Sequence, residues 1–177
     1  MSTRLVLTVI GVDKPGLVDR LATVIAASRG SWLESRMGRL AGHFAGIVEV
    51  ALPDDAFAEF ETRARALEGL SVGITRSELE ADLEAPGKPL RVAQLAFVGQ
   101  DRPGLVQAVS RVLAESNINV DELDTRTFLA PMSGTQVFEA QAELHLPDGL
   151  DVSALRDRLE AVARDVFVDI HISEDGG

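Results

Sequence analysis

Asp13 stands three residues ahead of Gly16 and Asp101 three ahead of Gly104, in the segments Asp13-Lys-Pro-Gly-Leu-Val18 and Asp101-Arg-Pro-Gly-Leu-Val106. Each segment follows a run of strand character and precedes an amphipathic helical pattern. A helix that starts there leaves its leading N–H groups unpaired and presents the positive pole of its dipole, so it attracts an anion of carboxylate size. The Asp side chain accepts from an ammonium, and glycine lets a ligand come close to the backbone. Carboxylate and ammonium on one carbon are the two ends of an α-amino acid. The same residues serve equally well in a plain strand-to-helix turn, with the Asp capping its own helix and the proline in the first helical turn.

The two segments lie 88 positions apart, and the correspondence runs on beyond them. Leu5-Val-Leu-Thr-Val-Ile-Gly11 answers Ala93-Gln-Leu-Ala-Phe-Val-Gly99, and Glu49-Val-Ala-Leu-Pro-Asp54 answers Glu143-Leu-His-Leu-Pro-Asp148 at a spacing of 94. Six extra residues therefore fall in the middle of the second copy, where Leu129-Ala-Pro-Met-Ser-Gly134 is the natural place for them. One module is written twice, over 1–78 and 91–177, with the acidic and Pro-Gly stretch 79–90 as linker.

Each copy reads strand, helix, strand, strand, helix, strand. Leu5, Leu7 and Val9 alternate with Val6, Thr8 and Ile10, apolar on both faces as in a central strand. Leu17, Leu21, Val24 and Ile25 recur at helical spacing, and Gly30 stands where that helix would stop. Strands over 32–39 and 44–52 turn at Ala41-Gly42. Asp54 or Asp55 would cap a second helix striped by Phe57, Phe60, Ala64 and Leu67 and ended by Gly69. Two β-α-β crossovers per copy predict an α+β fold of two ferredoxin-like βαββαβ modules, each an antiparallel four-stranded sheet with both helices on one face. On the uncovered face the second copy presents Glu139, Gln141, Glu143 and His145, whereas the first presents Ala45, Ile47, Glu49 and Ala51, a set apolar enough to pack against something.

Hydrophobic residues make up 46% of the 177 and charged residues 25%, the balance of a folded globular chain. A net charge of −11 repels phosphate backbones and argues against direct binding to nucleic acid. No apolar run has the length of a membrane span or of a secretory signal, and cysteine is absent, so the expected compartment is the cytoplasm. The sequence holds no thiol nucleophile, no Ser-His-Asp ordering and no phosphate-cradling glycine loop. His43, His145 and His171 lack metal spacing, so no enzyme activity, metal or cofactor is expected.

The pattern Gly11-x-Asp13-x-Pro15-Gly16-Leu17, its copy Gly99-x-Asp101-x-Pro103-Gly104-Leu105, and Asn117-Ile-Asn119-Val120 at the opening of a strand resemble the ACT domain, a small-molecule sensing module of amino-acid metabolism. A bare tandem of such modules is similar to the glycine cleavage system transcriptional repressor family. The resemblance implies a cytoplasmic regulator that senses an amino acid and acts through a partner protein, and the glycine-rich approach, with little extra room, favours a small ligand such as glycine or serine. That partner would be a transcription factor or a metabolic enzyme, and open sheet edges invite two chains to pair into a homo-oligomer. The resemblance also places the ligand between two modules, against the loop of one and the second strand of the other. It points to Asp101, Arg102, Gly104 and Leu105, with Asn119 and Val120 beside them. In the first copy it points to Asp13, Lys14, Gly16 and Leu17, where Ser31 stands in place of the Asn and Trp32 follows. That departure predicts unequal sites. Trp32 itself is expected at a module interface or in a ligand pocket.

Overall fold

The protein is described from a computed structural model that covers residues 2–77, 91–131 and 133–174. It divides into two compact units, Met1–Glu84 and Ala85–Gly177; the expected linker over 79–90 lies outside the described residues. The first unit runs β1 (Ser2–Val12), α1 (Leu17–Ala27), β2 (Ser31–Leu40), β3 (His43–Pro53), a short 3-10 turn (Asp54–Ala56), α2 (Phe57–Arg65) and β4 (Ser71–Arg76). The second repeats it as β5 (Arg91–Gln100), α3 (Leu105–Glu115), β6 (Asn119–Leu129), β7 (Gln136–Leu146), α4 (Val152–Val166) and β8 (Val168–Glu174). The sheets have the orders β2-β3-β1-β4 and β6-β7-β5-β8, antiparallel throughout, which is the ferredoxin-like plan twice. Among the described residues no helix is long and apolar enough to cross a membrane.

Period-two alternation decides which face of each sheet the helices cover. Leu5, Leu7 and Val9 of β1 and Val48, Val50 and Leu52 of β3 are buried, and they meet Leu17, Leu21 and Ile25 of α1 and Phe60 and Ala64 of α2. Fully burying one such leucine or valine stabilises by about 1.5–3 kcal/mol, so these side chains select this register over a one-residue slip. The second core is built alike from Ala93, Leu95, Phe97, Ala140, Ala142 and Leu144 against α3 and α4. Trp32 packs, half-buried, against the first unit's own core. The uncovered faces differ as the alternation predicts: Ile10 and Ile47 stand half-exposed on the first, whereas Gln141 is exposed on the second.

The glycine before each Asp is a packing requirement. A Cβ on Gly11 would lie 2.0 Å from the carbonyl oxygen of Gly69, and one on Gly99 would lie 2.5 Å from Cγ1 of Val168. Backbone blocks the first position, so Gly11→Ala is expected to cost about 1–3 kcal/mol by urea unfolding. A neutral result would mean that the last strand is not held against β1 as described.

Several local expectations are corrected. The left-handed residues that end α1 and α3 are Arg29 and Asn117, with φ of 56° and 54°, and not Gly30. Gly30 is needed because its Cβ would lie 2.3 Å from Leu52. Asp54 and Asp55 do not cap α2; they are taken by Thr3 and Arg29, at 2.7 Å each. Asp151 does cap α4, accepting from the amides of Ser153 and Ala154. The six added residues lengthen the β6–β7 hairpin, which gains a Leu129–Gln136 pair and a loop over 130–135.

The hydrogen bond from Arg29, with its charge, holds the Asp55 carboxyl below its ordinary value. A group depressed in the fold contributes stability above its unfolded pKa, near 3.9, and loses it as the pH falls below that. The melting temperature of Asp55→Asn is therefore expected to lie slightly below wild type at neutral pH and to converge with it in acid. Both side chains are largely exposed, which keeps the difference small. A gap that persists at pH 2 would assign Asp55 some role other than this ion pair.

Candidate functional site

Both turns reach their helix through a glycine in the left-handed region, with φ of 91° at Gly16 and 94° at Gly104. These glycines are the N-caps, so Pro15 and Pro103 precede the cap instead of sitting in the first helical turn. Neither Asp caps its helix. The first bonds inside the helices run from the N–H of Arg20 to the oxygen of Gly16 and from that of Ala108 to Gly104. The N–H groups of Leu17, Val18 and Asp19, and of Leu105, Val106 and Gln107, thus have no partner inside their own helices. The turns are tied down by the Asp N–H groups, which donate to Gly42 and Gln136 at 2.9 Å.

From here the copies diverge. The Asp13 carboxylate is paired with Arg39 of β2 at 2.9 Å. Thr127 occupies the position of Arg39 in the second copy, and among the described residues Asp101 has no side-chain hydrogen bond or ion pair. Asp19 lies in the first turn of α1, where its charge competes with any incoming anion; its counterpart in α3 is the neutral Gln107. The second turn therefore offers both halves of a zwitterion site, an open carboxylate for an ammonium and unopposed amides for a carboxylate. The first has both partly occupied by its own side chains.

The other expected residues are placed as follows. Leu17 and Leu105 are buried in their cores, so only their backbone N–H groups face a ligand. Lys14 is exposed. Arg102 turns away to the end of α4, where its guanidinium donates to the carbonyl of Val166 and lies 4.9 Å from the centroid of the Phe167 ring. In the first copy Arg20 does that work, donating to the matching carbonyl of Glu68 at 3.0 Å. A Cβ on Gly104 would meet nothing within 4 Å, so its φ, and not crowding, requires glycine.

Asn119 and Val120 are not beside the loop of their own copy. Asn119 pairs with His145 at one end of the sheet, whereas Gln100, just before the loop, pairs with Val137 at the other. Eight residues of β7 separate those positions, about 25 Å of strand. The Asn119 amide donates to Asp121 at 2.9 Å. Ser31 has the same remote position in the first copy, opposite Ala51. One residue that motif reasoning missed is Phe167, whose ring lies against Arg102 of the loop; aligning the closing strands, which sets Phe167 against Gly69, would have exposed it.

Residues 3–71 match the family model of the ACT domain. The second copy repeats its element order, strand order and glycine-proline turn. The first unit thus matches the ACT domain, and the second repeats its fold. No curated protein sequence matches the chain. Among solved structures it is similar to a protein of unknown function from Galdieria sulphuraria, at 28% identity and a TM-score of 0.85 over 99% of this chain and 100% of that one. It shares the whole fold, at 15% identity and a TM-score of 0.74, with a provisionally named glycine cleavage system transcriptional repressor, over 100% of this chain and 99% of that one. A single ACT domain protein from Streptococcus pneumoniae matches 48% of this chain and 90% of its own at 26% identity, with a TM-score of 0.40.

Proposed function

We propose that this chain is a tandem ACT protein, a non-catalytic cytoplasmic regulator that binds an α-amino acid at the start of α3 and passes its occupancy to a partner protein. The observation that carries the reading is the Asp101 carboxylate, unpaired among the described residues and set four residues ahead of the first free helix-start amide, which no acidic side chain opposes. Asp101 takes the ammonium, and the N–H groups of Leu105 and Val106 take the carboxylate. The Asp13 turn binds weakly or not at all. The whole-chain fold likeness to the provisionally named repressor directs the partner reading toward a transcription factor of amino-acid metabolism.

Asn119 enters such a site only from a second module. β6 is a sheet edge, exposed along its length, and antiparallel pairing with another β6 brings the Asn119 end of one strand to the loop end of its partner. We therefore propose self-association through this edge, with Asn119 completing the site of the neighbouring copy. A ligand that favours one arrangement of modules then changes partner affinity by its differential binding free energy, and reciprocally.

Calorimetric titration with single amino acids tests the reading. One strong site per chain is the expected stoichiometry, and two equal sites would contradict the proposed inequality. Co-purification separates the partner classes. A transcription factor supports the reading above, whereas a biosynthetic enzyme makes the chain a regulatory subunit with the same ligand chemistry. A partner captured with no amino-acid binding would leave an interaction scaffold.

A further inference from the structure

We propose that Phe167 is a specificity-determining residue of the second-copy site, an aromatic wall that selects α-amino acids with apolar side chains. The inference rests on the amino-acid reading above and names the ligand class. Each copy needs a left-handed residue between its second helix and its last strand. In the first copy this is Gly69, with φ of 83°; in the second it is Phe167, with φ of 52°. The two positions are equivalent, because the carbonyl of each is what a Cβ on Gly11 or Gly99 would strike. Glycine adopts this conformation without the Cβ penalty that a bulky residue carries, so a phenylalanine here is maintained against a local preference. Burial does not repay it, since Phe167 is 75% exposed. A side chain that is neither comfortable nor buried has to be sought in function.

Its surroundings say which function. The Arg102 guanidinium covers the ring at 4.9 Å and anchors on the carbonyl of Val166, so the loop that carries Asp101 is fastened to the residue before the ring. That contact sets the end of α4 beside the start of α3. The first copy lacks the ring and has Lys14 in place of the arginine. The ring and its arginine thus occur together, in the copy whose Asp is unpaired and whose first helical turn carries no acid. With one face held by Arg102, the exposed remainder of the ring offers an apolar surface fastened to the loop that carries Asp101. A ligand side chain of aliphatic or aromatic character gains contact there; glycine has nothing to place against it.

Phe167→Gly and Phe167→Asn both suit the left-handed backbone and remove the ring. They are compared with the intact wild-type chain by thermal unfolding and by calorimetric titration with glycine, alanine, leucine and phenylalanine. The expected result has two parts. Both variants melt at or above the wild-type temperature, and the wild-type preference for leucine and phenylalanine over glycine, roughly tenfold or more, collapses to within about twofold through loss of affinity for the larger ligands. A preference unchanged in the variants overturns the proposal, and so does a lowered melting temperature in both, which would make the ring a packing element. Wild-type protein that binds glycine as tightly as phenylalanine also overturns it, while leaving the amino-acid reading intact. Failure of the wild type to bind any of the four defeats both together.

Discussion

Asp101→Asn is expected to weaken binding of an α-amino acid by roughly ten- to a hundredfold, the weight of one charge-assisted hydrogen bond, while Asp13→Asn leaves that binding unchanged. The substitution keeps the shape of the side chain and removes the charge that answers the ammonium. Asp101 is exposed and its side chain has no partner among the described residues, so the melting temperature without ligand should stay within a degree or two of wild type. Affinity and stability are thereby separated. Asp13 is the internal control, because its carboxylate is already paired with Arg39. Calorimetry on the three proteins decides the matter. Equal losses from both substitutions would mean that the turns work alike and that the Arg39 pair opens on binding. No loss from either would remove the carboxylate from the site.

Phe60→Ala should give the largest loss of stability, about 3–5 kcal/mol by urea unfolding. Phe60 is fully buried where α2 meets the first sheet, among Leu5, Leu7, Val50 and Leu52. Removing the ring leaves a cavity that two β-strands and a helix cannot collapse around. For a unit of this size the melting transition of the first copy falls by roughly 15 °C or more. The comparison is Phe128→Ala, at a ring 38% exposed, which should cost far less. A loss below about 1 kcal/mol at Phe60 would contradict the placement of α2 on this face.

The fold was legible in the sequence because each of its determinants is local. Alternation in 5–10 and helical spacing in 17–25 each need only a short window, and the doubled Asp-x-Pro-Gly turn announced the second module. What escaped was set by the third dimension. Gly30 looked like a helix stop, yet its role is to clear Leu52, and the left-handed turn falls one residue earlier on Arg29. Asp54 and Asp55 had the right type and place for caps, but Thr3 and Arg29, distant in sequence, claim them.

The candidate site divides the same way. The two turns, their free amides and the contrast of Asp19 with Gln107 follow from residue type, whereas the pairing of Asp13 depends on Arg39 reaching it across the hairpin from β2. Arg102 had the chemistry of a ligand contact and is spent instead on the carbonyl of Val166. Asn119 follows Asp101 closely in the chain, yet a full helix intervenes and carries it to the far end of the sheet. The register of β6 on β7 puts it out of reach of its own loop, so it serves a ligand only beside the loop of a neighbouring module.

The most direct test of the central claim is a thermal-shift screen of the wild-type chain against the twenty amino acids. A ligand at about a hundred times its dissociation constant adds about 2.7 kcal/mol, so one amino acid or a small related group should raise the melting temperature by roughly 5 to 10 °C. That shift should be lost in Asp101→Asn. A flat response to all twenty would contradict the account and leave the ACT modules as surfaces for binding protein.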